Sequence, residues 1–428
     1  MGYGYLHSKL FGIEIGGINI GSYTTLLIPF SIVIIVGIYF LIKTRINLKN
    51  MSKTLNIISI VLLSVVIAYV GIQNVHSSQI ENATNMELLF IPDTTKDDFP
   101  DIYYIILDEY AGAESLQKDF DFDNSKFYSA LSDRDFYIVP KSYSNYPYTL
   151  LSIPSSLNMQ YLDFLAEELG PESTDTRPIV DILQNNLVMK NLKANGYHIV
   201  SFYAGSTAEG STHLVTEKLC GNEYYFNELQ DLMIRFTPVS YFFDSPTHHD
   251  KRDEILCTFS EIPKVKSRTT QPIFVYAHIM IPHEPYVFDA NGNTVIYSEI
   301  TDRSEAYLQQ LEFANKKTIE TIDAISTISE KPPIIIIQSD HGERTGIDWE
   351  NPTDDMIRRG FNNLNAYRLP GDGNSLYETI TPVNSFRVIF NEYFDADFKL
   401  LKDRSYWVKS DDVPYDLRDV TEILDKYR

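Results

Sequence analysis

The sequence predicts an α/β fold in which helices cover both faces of a largely parallel sheet, and three observations carry that prediction. Residues 334–337 are four consecutive isoleucines, set between Pro332-Pro333 and a Ser339-Asp340-His341-Gly342 turn. That is the pattern of a short strand buried on both faces. Two further runs, Asp101 to Leu107 and Pro272 to Met280, are β-branched and aromatic and also lead into polar residues. Helical stripes separate these runs, and strands alternating with helices define a parallel α/β sheet. Ligands of such sheets bind in the crevice at the carboxyl ends of the strands, so residues just past each strand are the functional candidates.

The 428 residues allow one large domain or two ordinary ones. A formal net charge of -22 argues against a nucleic-acid partner. No residue from Ile15 to Ile42 is charged, Leu55 to Ile72 is a second apolar run, and Lys43, Arg45, Lys49 and Lys53 lie in the loop between them. Runs of that length predict two transmembrane helices, and the basic loop predicts a cytoplasmic hairpin. A cleaved signal peptide is the competing reading, but two spans flanking a basic loop fit an anchor better. The expected organisation is a membrane anchor over residues 1–75, a juxtamembrane linker over 76–100 and an extracytoplasmic catalytic domain over 101–428. The linker carries the sequon Asn82-Ala83-Thr84. Cys220 and Cys257 have no metal-binding spacing; they form one disulfide outside the cytoplasm or remain two buried thiols.

Within the outer domain, the strand Asp101 to Leu107 delivers Asp108 and Glu109. Acids just past a buried strand cost desolvation unless a cation sits beside them; a helix-capping Asp is the rival reading. Ser125 to Asp133 predicts a helix and Phe136 to Val139 a strand. The run Ser144 to Asn158 is dense in hydroxyls, and a turn there brings Thr149 to a helix start among unpaired N–H groups. That is where a metal-activated nucleophile belongs, although hydroxyls near proline also serve as caps and turn formers. Arg177 to Asn195 reads as one helical stripe, and His198 to Tyr203 as a strand. Gly210 to Lys266 is patchy, a lobe over the active face in which His248-His249 reads as a solvated loop. The strand Pro272 to Met280 places His283 in a rigid turn where it can touch substrate, while His278, within the strand, reads as a satisfied structural histidine. Ser304 to Ile328 is a long amphipathic helix. It leads into the isoleucine strand, which aims Asp340 and His341 into the crevice. A carboxylate beside an imidazole suits Zn2+ or Mn2+ better than Ca2+. Asn363 to Leu369 predicts one more strand and Val383 to Phe394 a helix.

Set together, Asp108, Glu109, Thr149, His283, Asp340 and His341 resemble the site of the alkaline phosphatase and sulfatase superfamily. The resemblance is to its membrane-anchored phosphoethanolamine transferases and lipoteichoic acid synthases in particular. Thr149-Leu150-Leu151-Ser152-Ile153-Pro154 is similar to their T-x-x-S-x-P segment. Pro282-His283-Glu284-Pro285-Tyr286 is loosely similar to S-H-G-P-x-Y, and Ser339-Asp340-His341-Gly342-Glu343 matches S-D-H-G-E residue for residue. The resemblance implies an alkaline-phosphatase-like three-layer sandwich. It also implies a divalent metal, Zn2+ or Mn2+ with Mg2+ or Ca2+ as alternatives, held by Asp108 (Glu109 as substitute), Thr149, Asp340 and His341. Thr149 is then the nucleophile of a ping-pong transfer, and His283 contacts the transferred group or protonates the leaving oxygen. The implied partners are a membrane lipid or surface glycan substrate and the lipid bilayer.

Three features depart from the family pattern. None of the nine histidines follows His341, only two apolar spans are visible, and Ser156 stands where a formylglycine motif needs arginine. The leading expectation is a metal-dependent phosphotransferase or hydrolase acting outside the membrane. The alternatives are a sulfuric or phosphoric ester hydrolase without formylglycine, and a non-catalytic surface-binding protein. Retention of Asp108, Thr149, Asp340 and His341 together counts against the last.

Overall fold

The computed structural model describes residues 99–202, 212–221, 248–371, 375–410 and 412–428. It also describes 14–15, 18–19, 35–36, 39, 43, 52–53, 56–57 and 59–64. Contacts divide the chain into two units, residues 1–79 with 222–247, and residues 80–221 with 248–428. In the first, Glu14–Ile15 pairs antiparallel with Ile18–Asn19, and residues 59–64 are helical, with Ile60, Val61, Leu62 and Leu63 exposed. No helix among the described residues is long and apolar enough to cross a membrane. Most of both predicted spans, and nearly all of the predicted linker, lie outside the described residues.

The second unit is built on a seven-stranded sheet. In chain order its elements are β1 (Ile102–Leu107), α1 (Ala113–Phe120), α2 (Ser125–Ser132), β2 (Tyr137–Ile138), α3 (Thr149–Asn158) and α4 (Asp163–Leu169). Then come α5 (Arg177–Gln184), α6 (Leu187–Ala194), β3 (His198–Phe202), β4 (Glu217–Leu219), α7 (His248–Glu261) and β5 (Ile273–Ile279). The remainder comprises α8 (Arg303–Ile328), β6 (Ile334–Gln338), α9 (Asp354–Phe361), β7 (Asn365–Arg368) and α10 (Pro382–Tyr393), followed by the small hairpin β8 (Tyr406–Trp407) and β9 (Arg418–Asp419) and by α11 (Thr421–Leu424). The sheet order is β2-β7-β6-β1-β5-β3-β4. Strands β6, β1, β5, β3 and β4 run parallel, while β7 and β2 add an antiparallel edge.

Side chains alternate across a strand, so each central strand feeds two cores. Tyr103, Ile105, Val275, Ala277, Ile335 and Ile337 face the core shared with α7 and α8. Ile102, Tyr104, Ile106, Phe274, Tyr276, Ile334 and Ile336 face the opposite core, with α3, α6 and α10. Helices thus cover both faces, which is why β1, β5 and β6 are buried at every position.

Two expectations about elements are corrected. The stripe from Arg177 to Asn195 is two helices, because the Asn186 side chain accepts from Met189 N–H at 2.9 Å and starts a new helix. His248-His249 lies at the start of α7, with helical backbone, rather than in a loop. The last predicted strand is present but antiparallel to β6. Cys220 and Cys257 are bonded to each other, so the disulfide reading holds.

Candidate metal centre and active site

The site forms where β1 and β6 end beside the start of α3. Continuing the alternation of β1, Asp108 follows Ile106 on the α3 side. Glu109 then has φ 61°, the left-handed region, which turns its side chain away from that of Asp108. The Glu109 N–H donates to Asp340 Oδ1 at 3.2 Å, tying the two strand ends together.

The Ser-Asp-His-Gly turn is held by its own neighbours. Ser339 Oγ accepts from Tyr110 N–H at 2.8 Å and donates to the His341 carbonyl at 2.7 Å. The Asn363 amide donates to the Ser339 carbonyl at 2.6 Å. Gly342 donates its N–H to the Gly360 carbonyl at 3.0 Å. A Cβ at Gly342 would stand 2.1 Å from the Arg359 carbonyl oxygen, so only glycine fits under α9.

Helix α3 packs Ile153 and Leu157 on the sheet, which places its first residue, Thr149, over the turn. Thr149 Oγ1 donates to Asp340 Oδ2 at 2.6 Å and lies 3.3 Å from His341 Nε2. One turn further along, Ser152 Oγ donates to the Asp340 backbone carbonyl at 2.5 Å and is buried. Ser152 therefore pins the turn, while the Thr149 hydroxyl faces the Asp340 carboxylate and His341 Nε2.

The donor set fits a divalent cation. Asp108 Oδ1 is buried without a hydrogen-bond partner, an orphan that a bare carboxylate would not tolerate. It lies 3.7 Å from His341 Nε2, which is 3.3 Å from Asp340 Oδ2. His341 Nδ1 donates to the Gly342 carbonyl at 2.9 Å, so Nε2 carries the lone pair. Burial, aided by the nearby Arg344 cation, pushes the His341 pKa down to about 4 and keeps that lone pair unprotonated. Burial opposes ionisation of Asp108, yet the imidazoles of His283, His278 and His341 outweigh it and hold its carboxyl well below the usual range. Ligand-capable atoms of Asp108, His278 and Asp340 all lie within 4.8 Å of one another.

Asp108, Thr149, Asp340 and His341 are thus brought together. Glu109 and His283 stand to one side. Glu109 Oε1 accepts from Arg344 N–H at 2.9 Å, and its Oε2 is 3.6 Å from His283 Nε2. Burial raises the Glu109 pKa in spite of Arg344 and His283. Burial lowers that of His283, but Asp108 and Glu109 raise it by more. Both line a cleft of about 630 Å³ with Tyr148, Tyr286, Arg344 and Trp349. The Arg344 guanidinium lies 5.1 Å from the centre of the Tyr148 ring, and Tyr148 packs 4.7 Å from Trp349.

Sequence reasoning missed one residue here, Arg344, and one contact, that of His278 with Asp108. Arg344 was legible as a cation directly after Ser-Asp-His-Gly-Glu. His278 is buried and satisfied, as expected, but its partner, Asp108 Oδ2 at 3.1 Å, is one that nothing in the strand pattern shows.

A parallel sheet clothed by helices on both faces, with carboxylates, an imidazole and a hydroxyl converging at its carboxyl edge, defines an alkaline-phosphatase-like α/β enzyme. The sulfatase family model matches residues 100–384, more than half of the chain. The chain belongs to the sulfatase family and is an enzyme of that type. No curated protein sequence matches it. Similar solved structures include the zinc-bound C-terminal periplasmic domain of EptC from Escherichia coli, with TM-score 0.48 and 11% identity over 72% of this chain and 86% of that one. The lipooligosaccharide phosphoethanolamine transferase A of Neisseria meningitidis, an integral membrane protein, gives 0.45 and 11% over 87% and 69%. A 2-O GAG sulfatase gives 0.43 and 12% over 71% and 72%.

Proposed function

We propose that this chain is a metal-dependent phosphotransferase or hydrolase that uses Thr149 as its nucleophile, on phosphate-containing headgroups or cell-surface glycans outside the membrane. The observation that carries the reading is the Thr149 hydroxyl, at a helix N-terminus and donating to Asp340 Oδ2 at 2.6 Å beside the His341 lone pair. Asp108, Asp340 and His341, together with Thr149, would hold the cation, Zn2+ or Mn2+. When bound, it would lower the pKa of the Thr149 hydroxyl and offset the anionic charge of a phosphoryl group.

The residues themselves do the following. Asp340 Oδ2 accepts the hydroxyl proton and fixes the rotation of Thr149, so that its oxygen is presented for attack. A Thr149 Oγ1–P bond forms as the bond from phosphorus to the leaving oxygen breaks. The positive end of α3 and the Arg344 guanidinium favour an anionic group in the adjoining cleft. His283 lines the same cleft and is the group positioned to protonate the leaving oxygen. An acceptor alcohol, or water, then takes the group from Thr149. The uncharged run Ile15 to Ile42 and the exposed Ile57, Ile60, Val61, Leu62 and Leu63 support a membrane-anchored chain with this domain on the outer side.

The test is the intact mass, and the mass of the Thr149 peptide, after incubating the full chain in detergent with Mn2+ or Zn2+ and a mixed lipid extract. A mass increment on Thr149, absent from Thr149→Ala, is expected. An increment on Ser152, or full turnover by Thr149→Ala, overturns the assignment of the nucleophile.

A further inference from the structure

We infer that His278 is a positioning residue for the metal centre: its Nε2–H holds Asp108 Oδ2 so that Oδ1 is the oxygen offered to the cation. The inference rests on the metal reading above. His278 is the only polar residue of β5 apart from the Tyr276 hydroxyl, in a strand buried at all seven positions. Its side chain is wholly buried, and a buried imidazole needs a partner. The parallel register sets His278 opposite Ile106 of β1, two residues before Asp108 and on the same face. Across that gap His278 Nε2 meets Asp108 Oδ2 at 3.1 Å.

The other oxygen of that carboxylate is the orphan. Oδ1 has no hydrogen-bond partner and lies 3.7 Å from His341 Nε2. Engaging one oxygen fixes the rotation of the carboxylate and leaves the second directed at the remaining donors. Such outer partners orient a ligand and raise the affinity of the site for its metal. Although His278 lies within ligand reach of the cluster, an Nε2 that donates its proton to Asp108 has no lone pair left for a cation. The geometry therefore assigns His278 to holding Asp108 rather than to the metal itself.

The experiment is calorimetric titration of the metal-free full chain in detergent with Zn2+ alone, for the wild type, His278→Ala, His278→Met and His278→Gln, with circular dichroism on each. Methionine fills the space without a donor and stands in if alanine unfolds. Glutamine places an amide N–H near the position of Nε2. The donor-less variants are expected to bind Zn2+ about 10–100-fold more weakly while folded, and glutamine to recover most of that loss. Donor-less variants that bind as tightly as wild type overturn the inference and leave a purely structural histidine. Glutamine as weak as alanine also overturns it, by making His278 a direct ligand. A wild type that takes up no Zn2+ sinks the metal reading itself, a result distinct from either.

Discussion

Asp340→Asn should reverse the order of thermal stability between metal-free and metal-loaded protein. Asp108 and Asp340 place carboxylate oxygens within 4.8 Å of each other in a buried site. At an effective dielectric constant of about 20, two such charges repel by about 3 kcal/mol. Asparagine is isosteric. Its carbonyl can still accept from Glu109 N–H, as Oδ1 does now at 3.2 Å, and its NH2 can donate to Thr149 Oγ1 while that hydroxyl turns to His341 Nε2, 3.3 Å away, so the turn stays intact while the repulsion goes. With about 2–4 °C per kcal/mol for a domain of this order of size, the variant in EDTA should melt several degrees above wild type. With metal the balance inverts. A cation at about 1,000 times its Kd adds about 4 kcal/mol to the wild type, whereas the variant has lost a charged ligand and gains little. The assay is a circular-dichroism melt of both proteins, each in EDTA and in saturating Zn2+ or Mn2+. Equal metal-induced shifts in the two proteins would refute the ligand assignment. An unchanged melt in EDTA would refute the claim that the carboxylates strain each other.

Two further predictions concern the turn at the site and the disulfide. Gly342→Ala must push the Arg359 carbonyl off a 2.1 Å contact; a cost of about 1–3 kcal/mol should appear as a lower melting temperature together with weaker metal uptake, and a wild-type melt would show that the turn is looser than the packing implies. Replacing both Cys220 and Cys257 by serine opens a crosslink between residues 37 apart, worth about 4 kcal/mol by loop-closure entropy. The double variant should melt several degrees lower and lose its sensitivity to dithiothreitol, and a melt of the oxidised wild type that dithiothreitol leaves unmoved would contradict the bond.

What could be read before folding follows from how local each signal is. Asp108, Thr149 and Asp340-His341 each follow a buried strand or open a helix, so a short window shows both the residue and its placement. His278 differs. Its role exists only through the register that sets it opposite Ile106, and no window of the sequence contains both strands. Arg344 and Glu109 meet in the same non-local way, through a backbone N–H of one and a carboxylate of the other. The break at Asn185-Asn186 was hidden because Leu187 and Leu192 continue the apolar stripe across it. The direction of β7 was hidden too, since alternation is the same in parallel and antiparallel strands.

Thr149 and Ser152 both grip Asp340, one by its carboxylate and the other by its backbone carbonyl. A helix advances about 100° per residue, so a separation of three returns the second hydroxyl to nearly the same side as the first. The Thr-x-x-Ser interval therefore acts as a gauge, setting how far α3 is rotated and how deeply it is seated against the strand end. One residue removed from between the two hydroxyls would leave them about 200° apart, carry Ser152 to the far side of the helix from the carbonyl and free the helix to turn. Thr149 would then keep its hydroxyl but lose its place against the Asp340 carboxylate.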